Sequence, residues 1–266
     1  MKKWGLIVLV IVGIVLASCA PAATPTPVPP VTEVVTDFGG QEVTIAVENA
    51  YPPFNYIDEA TGEPAGWDYD AWKAICEKLN CKPVFKEAAW DGLFEAMAAG
   101  EYDVAADGIT IYLDRAQKID FSDPYIEYGQ VLLVRADETE ITSGDTLVAL
   151  TDKTVGVQIG TTNEKTAIKL VGEERVKSFD TFDIPVAALI AGDVDTVVID
   201  EVAAVGFMRA NPGKLKIAPE RVTTGEYLGF AFPPKSSLLA PTNWALHQLW
   251  ADGTMDQLFQ KWFRPE

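Results

Sequence analysis

The side chains that could do chemistry in this chain stand just beyond its apolar runs. Glu48 and Tyr51 follow the run at 43–47, Gly108 and Thr110 close the run at 104–109, Gly160, Thr161 and Thr162 follow Val155-Gly156-Val157, and Asp200 follows the run at 196–199. In open α/β sheets ligands sit beyond the carboxyl ends of strands, where N–H groups at helix starts are free, so these residues are candidates for a ligand site. Gly160-Thr161-Thr162 opening a helix suits an anion, although an ordinary helix cap explains it equally well. It has neither the lysine nor the spacing of a phosphate loop, and no Gly-x-Gly-x-x-Gly occurs, so nucleotide binding is not supported. His247 is the single histidine and no Gly-x-Ser-x-Gly elbow occurs, which removes most Ser-His and Cys-His schemes. Any of the 39 acidic residues could pair for acid/base work, but sequence does not bring them together. Binding is favoured over catalysis, with no cofactor and no metal.

The ends of the chain bear on where such a site would work. Lys2 and Lys3 precede an apolar stretch from Trp4 to Leu16 and the small residues Ala17 and Ser18, which is the order of a secretory signal over residues 1–18. The stretch is short for a membrane-spanning helix, which takes roughly 20 residues. Leu16-Ala17-Ser18-Cys19 resembles the bacterial lipobox, which implies acylation of Cys19, palmitate included, and attachment to the extracytoplasmic face of a membrane. Residues 19–38 are rich in proline and poor in large apolar groups, and read as a semi-rigid linker. A formal net charge of −18 speaks against nucleic acid as a partner. Cys76 and Cys81 are an even pair in an exported chain, so a disulfide is expected, with two free buried thiols as the alternative.

The elements that must position these residues alternate between strand-like and helix-like patterns from residue 42 onward, which argues for an α/β protein with mainly parallel sheets. Strands are expected at 43–47, 84–85, 104–109, 130–134, 155–157, 176–179, 196–199 and 227–232. Helices are expected after Asp68 and Asp70, which suit a first turn as caps, and at 92–99, 162–170, 184–191 and 202–210. Two more helices begin near Ser237 and Thr254, with His247 a structural residue on the first. Two βα lobes follow: 39–129 and 227–266 form the first and 130–226 the second.

The order of motifs resembles family 3 of the extracellular solute-binding proteins, the receptors of ABC importers for polar amino acids. The resemblance rests on Tyr51-Pro52-Pro53-Phe54, Gly66-Trp67-Asp68-Tyr69-Asp70, Trp90-Asp91-Gly92-Leu93, the stretch from Asp103 to Thr110, Arg115, and the stretch from Ile119 to Tyr125. Val155 to Thr162, Asp200-Glu201-Val202-Ala203-Ala204 and Asp252 to Phe263 continue it, so that it covers about residues 40 to 264. It implies a type II periplasmic-binding fold, two lobes with hinge strands near Tyr128 to Val131 and Glu226 to Gly229, closing on a free amino acid. By resemblance Arg115 clamps the α-carboxylate with Gly108, Thr110, Thr161 and Thr162, and Asp200 pairs with the α-ammonium. Glu48, Tyr51 and Trp90 would then set side-chain selectivity. Gln158 stands where some relatives have lysine and Ile199 where glutamine binders have histidine, which tilts the expectation to lysine, arginine or ornithine, with glutamine next. The implied partners are an ABC permease and ATPase, with the receptor a monomer and no enzyme. A cyclohexadienyl dehydratase-like enzyme on the same scaffold and a sensor for a signalling partner are the alternatives.

Overall fold

The computed structural model describes residues 34–264; the signal segment, Cys19 and most of the proline-rich linker lie outside the described residues. None of the described helices is long and apolar enough to cross a membrane. The chain is fastened to the first lobe from Phe38 onward, whose N–H donates to the Leu79 carbonyl at 2.8 Å.

In chain order the first lobe contains β1 (Gln41–Val47), β2 (Ala50–Tyr51), β3 (Asn55–Ile57), β4 (Pro64–Ala65), α1 (Trp67–Leu79), β5 (Cys81–Glu87), α2 (Leu93–Ala99), β6 (Val104–Ala105), α3 (Leu113–Ala116), β7 (Asp120–Phe121) and β8 (Ile126–Tyr128). The second contains β9 (Gln130–Arg135), α4 (Gly144–Ala149), β10 (Val155–Gln158), α5 (Thr162–Val171), β11 (Val176–Phe179), α6 (Asp183–Ala191), β12 (Thr196–Asp200), α7 (Glu201–Ala210) and β13 (Leu215–Arg221). The chain then returns with β14 (Glu226–Leu228), β15 (Ala231–Phe232), α8 (Leu239–Ala251) and α9 (Thr254–Phe263).

Two five-stranded sheets result, ordered β5-β1-β6-β15-β7 and β11-β10-β12-β9-β13. The first three strands of each order run parallel and the remaining pairs are antiparallel, so the sheets are mixed and not mainly parallel as expected. Every residue of β12 is buried, as expected for a strand covered on both faces. The chain crosses between sheets twice, at Gly129 and between Arg221 and Glu226, and β8 pairs antiparallel with β14 beside these crossings.

The first lobe is held by the inner face of α1. Trp67, Trp72, Ile75 and Leu79 recur at helical spacing and are fully buried, and burial of each such side chain contributes about 1.5–3 kcal/mol. The Trp67 ring lies 4.6 Å from Tyr125 and 5.9 Å from Phe230, and Trp72 lies 5.2 Å from Phe230, so residues distant in sequence close this core. Cys76 at the end of α1 and Cys81 at the start of β5 are bonded.

Four local expectations need correcting. Asp68 caps nothing: the N-cap of α1 is Gly66, and Asp68 is wholly buried, accepting from Asn55 Nδ2 at 2.8 Å, with burial pushing its carboxyl up to about 8. The apolar stretch 227–232 is two strands in different sheets, because β14 pairs with β8 while β15 joins β6 and β7. The run at 104–109 is strand only at 104–105; its remainder leaves the ladder to line the cleft. Finally, α4 and β13 were not expected. A reciprocal capping box between Ser143 and Thr146 starts α4, and β13 is an edge strand set by its pairing with β9.

Candidate functional site

The residues beyond the strand ends line one cavity between the two sheets, with about 280 Å³ of empty space. That figure includes space open to solvent; the enclosed room is about 20 Å³, so the two walls stand close together. From the first lobe come Glu48, Tyr51, Trp90, Asp107, Gly108, Thr110 and Arg115; from the second come Gln158, Thr161, Thr162, Asn163, Phe182 and Asp200. All nine sequence-selected ligand residues are therefore brought together. Asp107, Asn163 and Phe182 were not selected, and Gln158 was noted only as a departure from relatives.

Arg115 sits on the single turn of α3, almost fully buried. Its guanidinium donates to the Thr110 carbonyl at 3.1 Å and to the Gly160 carbonyl at 3.5 Å, and lies over the rings of Trp90 at 5.1 Å and Phe94 at 4.5 Å. No acidic side chain among the described residues forms an ion pair with it. Burial lowers its pKa to about 10. A buried cation with only carbonyls and rings around it is costly, and an entering carboxylate relieves that cost with a bidentate fork. The Trp90 ring thus supports the guanidinium while also lining the cavity.

Asp200 is at the end of β12, where it is the N-cap residue of α7 by position, but its side chain makes no cap bond. It turns into the cavity, accepting hydrogen bonds from the Tyr51 hydroxyl and, at 2.8 Å, from Asn163 Nδ2. Burial raises its pKa to about 6. The Tyr51 ring is placed by Phe54, 5.2 Å away in the same lobe, and by Phe182, 4.6 Å away across the cleft. Gly108 must lack a side chain here: at φ +53° its Cβ would stand 2.4 Å from the Tyr51 ring.

Glu48 follows β1 and accepts from Gln158 Nε2, across the cleft, at 2.6 Å. Burial, then repulsion from Asp107, raises the Glu48 carboxyl well above the usual range. Asp107 is also raised by burial; one of its oxygens accepts from Asn55 Nδ2 at 2.8 Å and the other has no partner. Its place in the quoted Asp103 to Thr110 stretch was a usable signal, since it immediately precedes Gly108.

The opposite wall joins the lobes. Thr110 and the Tyr128 hydroxyl are 2.8 Å apart, Thr110 and Thr162 are 3.4 Å apart, and Gln130 Nε2 donates to Thr162 at 3.3 Å and to Glu226 at 3.0 Å. Thr161 is the N-cap of α5, accepting from the Glu164 N–H at 3.1 Å, so the helix start expected at Gly160-Thr161-Thr162 is present and faces the cavity. His247 is exposed on α8, 2.9 Å from Asp123, and takes no part. No group of three or more His, Cys, Asp and Glu among the described residues could hold a metal ion.

The chain is similar to known proteins in sequence and in fold. The profile of the bacterial extracellular solute-binding proteins, family 3, matches residues 43–265. A probable histidine-binding protein of Neisseria gonorrhoeae is 30% identical over 278 aligned positions, spanning all of this chain and 97% of that one. The arginine-, lysine-, histidine-binding protein ArtJ of Geobacillus stearothermophilus superposes with a TM-score of 0.78 at 33% identity, over 85% of this chain and 96% of that one. An ancestral arginine-binding protein bound to glutamine gives a TM-score of 0.77 at 38% identity, over 84% and 98% of the two chains.

Proposed function

The chain belongs to family 3 of the bacterial extracellular solute-binding proteins, and from that premise we propose that it captures a free basic amino acid, lysine, arginine or ornithine, and delivers it to an ABC permease without chemical change. The observation that carries this reading is the charge balance of the cavity. Three buried carboxyl groups, Glu48, Asp107 and Asp200, share it with one buried cation, Arg115. A basic amino acid has the complementary set, one carboxylate and two cations.

In this reading Arg115 takes the α-carboxylate with Thr110, Thr161, Thr162 and the Gly108 backbone, and Asp200 takes the α-ammonium. Glu48 and Asp107 meet the cation at the side-chain end, while Tyr51 and Phe182 flank the aliphatic stem. Each group is desolvated in the closed cleft, so an ion pair formed there with the ligand contributes strongly. A neutral side chain would leave Glu48 and Asp107 buried without a cation, which supports rejection of glutamine. ArtJ, named for binding arginine, lysine and histidine, supports a basic ligand, while the ancestral arginine-binding protein bound to glutamine makes glutamine the next candidate.

The lipobox-like Leu16-Ala17-Ser18-Cys19 and the proline-rich segment after it support a receptor anchored through acylated Cys19, with a spacer that leaves the lobes free to rotate. A thermal-unfolding panel of amino acids on the refolded, ligand-free chain tests the proposal. Free ligand at about 1,000 times its dissociation constant adds about 4 kcal/mol, roughly 8 to 16 °C for a domain of this size. Lysine, arginine or ornithine should give the largest shifts, the same ones in wild type and in a Cys19→Ser chain that no longer fractionates with membranes. No shift with any amino acid would sink the proposal.

A further inference from the structure

Helix α7 begins at Asp200 in the second lobe and passes close to the first. Gly206, in its middle, faces the turn between β2 and β3. A Cβ built at Gly206 would lie 2.7 Å from both the carbonyl carbon and the carbonyl oxygen of Pro52, and 2.8 Å from the Pro53 nitrogen. These are main-chain atoms and cannot rotate aside. The turn itself is fastened: the Phe54 N–H donates to the Tyr51 carbonyl and the Trp67 N–H to the Pro53 carbonyl, each at 2.9 Å, which ties it to the start of α1. On its other side α7 is fixed by Ala203, Ala204 and Phe207, all buried. Neither surface can yield by the amount a methyl group requires. The contact is flanked by others that cross between the lobes, the Tyr51–Phe182 ring pair and the Arg209 guanidinium donating to the Trp262 carbonyl at 3.1 Å.

We propose that Gly206 is the residue that permits the lobes to close, by letting the α7 backbone meet the Pro52-Pro53 main chain directly. It touches no ligand and acts through the geometry of the closed cleft, in which Asp200 reaches Tyr51 and Arg115 reaches Gly160. The inference rests on reading the cleft as a site for arginine or glutamine but not on which of the two fills it. A side chain at 206 lowers the population of the closed state, and the apparent dissociation constant rises by the reciprocal of that population, equally for every ligand. Inside an isolated helix the same change is favourable, because alanine is a better helix former than glycine. The two effects have opposite signs in separate measurements.

The test compares the full wild-type chain with Gly206→Ala and Gly206→Val, using arginine and glutamine as probes. In Gly206→Ala the ligand-free midpoint of thermal unfolding should equal or exceed that of wild type. Its affinity for whichever probes wild type binds should fall by a common factor of about ten or more, with a larger fall in Gly206→Val. Solution X-ray scattering at a fixed probe concentration about equal to the wild-type dissociation constant should give a larger radius of gyration than wild type. Affinity within about twofold of wild type, or unequal losses for two bound probes, would overturn the proposal while leaving the solute site standing. A lowered ligand-free midpoint would overturn it too, by assigning the collision to one lobe. Binding of neither probe by wild type would remove the solute-site reading and this inference together.

Discussion

Arg115→Ala should weaken amino-acid binding by about 3 to 5 kcal/mol, two to three and a half powers of ten in the dissociation constant. The guanidinium is buried, held by two carbonyl oxygens and two aromatic rings, and without an acidic partner among the described residues. In the closed cleft it is desolvated, as the lowered pKa reflects. A ligand carboxylate placed in the cavity therefore gains the full attraction of a low-dielectric ion pair, and removal of Arg115 leaves that carboxylate buried alone. The ligand-free protein loses less, since it forfeits the hydrogen bonds to the Thr110 and Gly160 carbonyls and the cation–π contacts with Trp90 and Phe94, and is relieved of an unpaired buried cation. Titration calorimetry gives the first quantity and thermal unfolding of ligand-free protein the second. Unchanged affinity would remove Arg115 from the site.

The paired substitution Glu48→Gln with Asp107→Asn should act on selectivity instead. Both replacements keep size and hydrogen-bonding capacity and remove charge at the side-chain end of the cavity. Arginine should lose about 2 to 5 kcal/mol of binding, while glutamine, which presents no cation there, should hold its affinity or gain. The arginine-to-glutamine preference then falls by roughly thirtyfold or more. Competition of each amino acid against labelled arginine or glutamine on both proteins measures the ratio directly. Equal losses for the two ligands would place Glu48 and Asp107 in support of the fold and not opposite the ligand's side chain.

Much of this site was legible because the chemistry lies where α/β sheets expose it. Glu48, Gly160 to Thr162 and Asp200 each follow a strand whose apolar run is plain, and the topology then brings those ends together. Asp68 was misread because a carboxylate at a helix start and a buried carboxyl look alike until the partner, Asn55, is known to reach it. Asp107 was passed over for the same reason: its burial depends on contacts made by Asn55 and Glu48, far away in sequence. Strand β13 has no apolar alternation of its own and exists by pairing with β9. Gly206 is the extreme case, since a helix-interior glycine has an ordinary appearance and its reason lies in the main chain of the other lobe.

Calorimetric titration of ligand-free protein with arginine and with glutamine, at pH 6 and pH 8, tests the claim of a basic amino-acid receptor most directly. Cation binding requires ionised carboxyls, and those of the closed cleft are held above their usual values: Asp200 at about 6, and Glu48 and Asp107 raised by burial. Their deprotonation as pH rises therefore strengthens binding. Glutamine depends on Asp200 alone and should level off above pH 6, whereas arginine also draws on Glu48 and Asp107 and should continue to gain. The expected result is arginine tighter than glutamine at both values, with the margin wider at pH 8. Glutamine as tight as arginine or tighter at pH 8 would contradict the assignment.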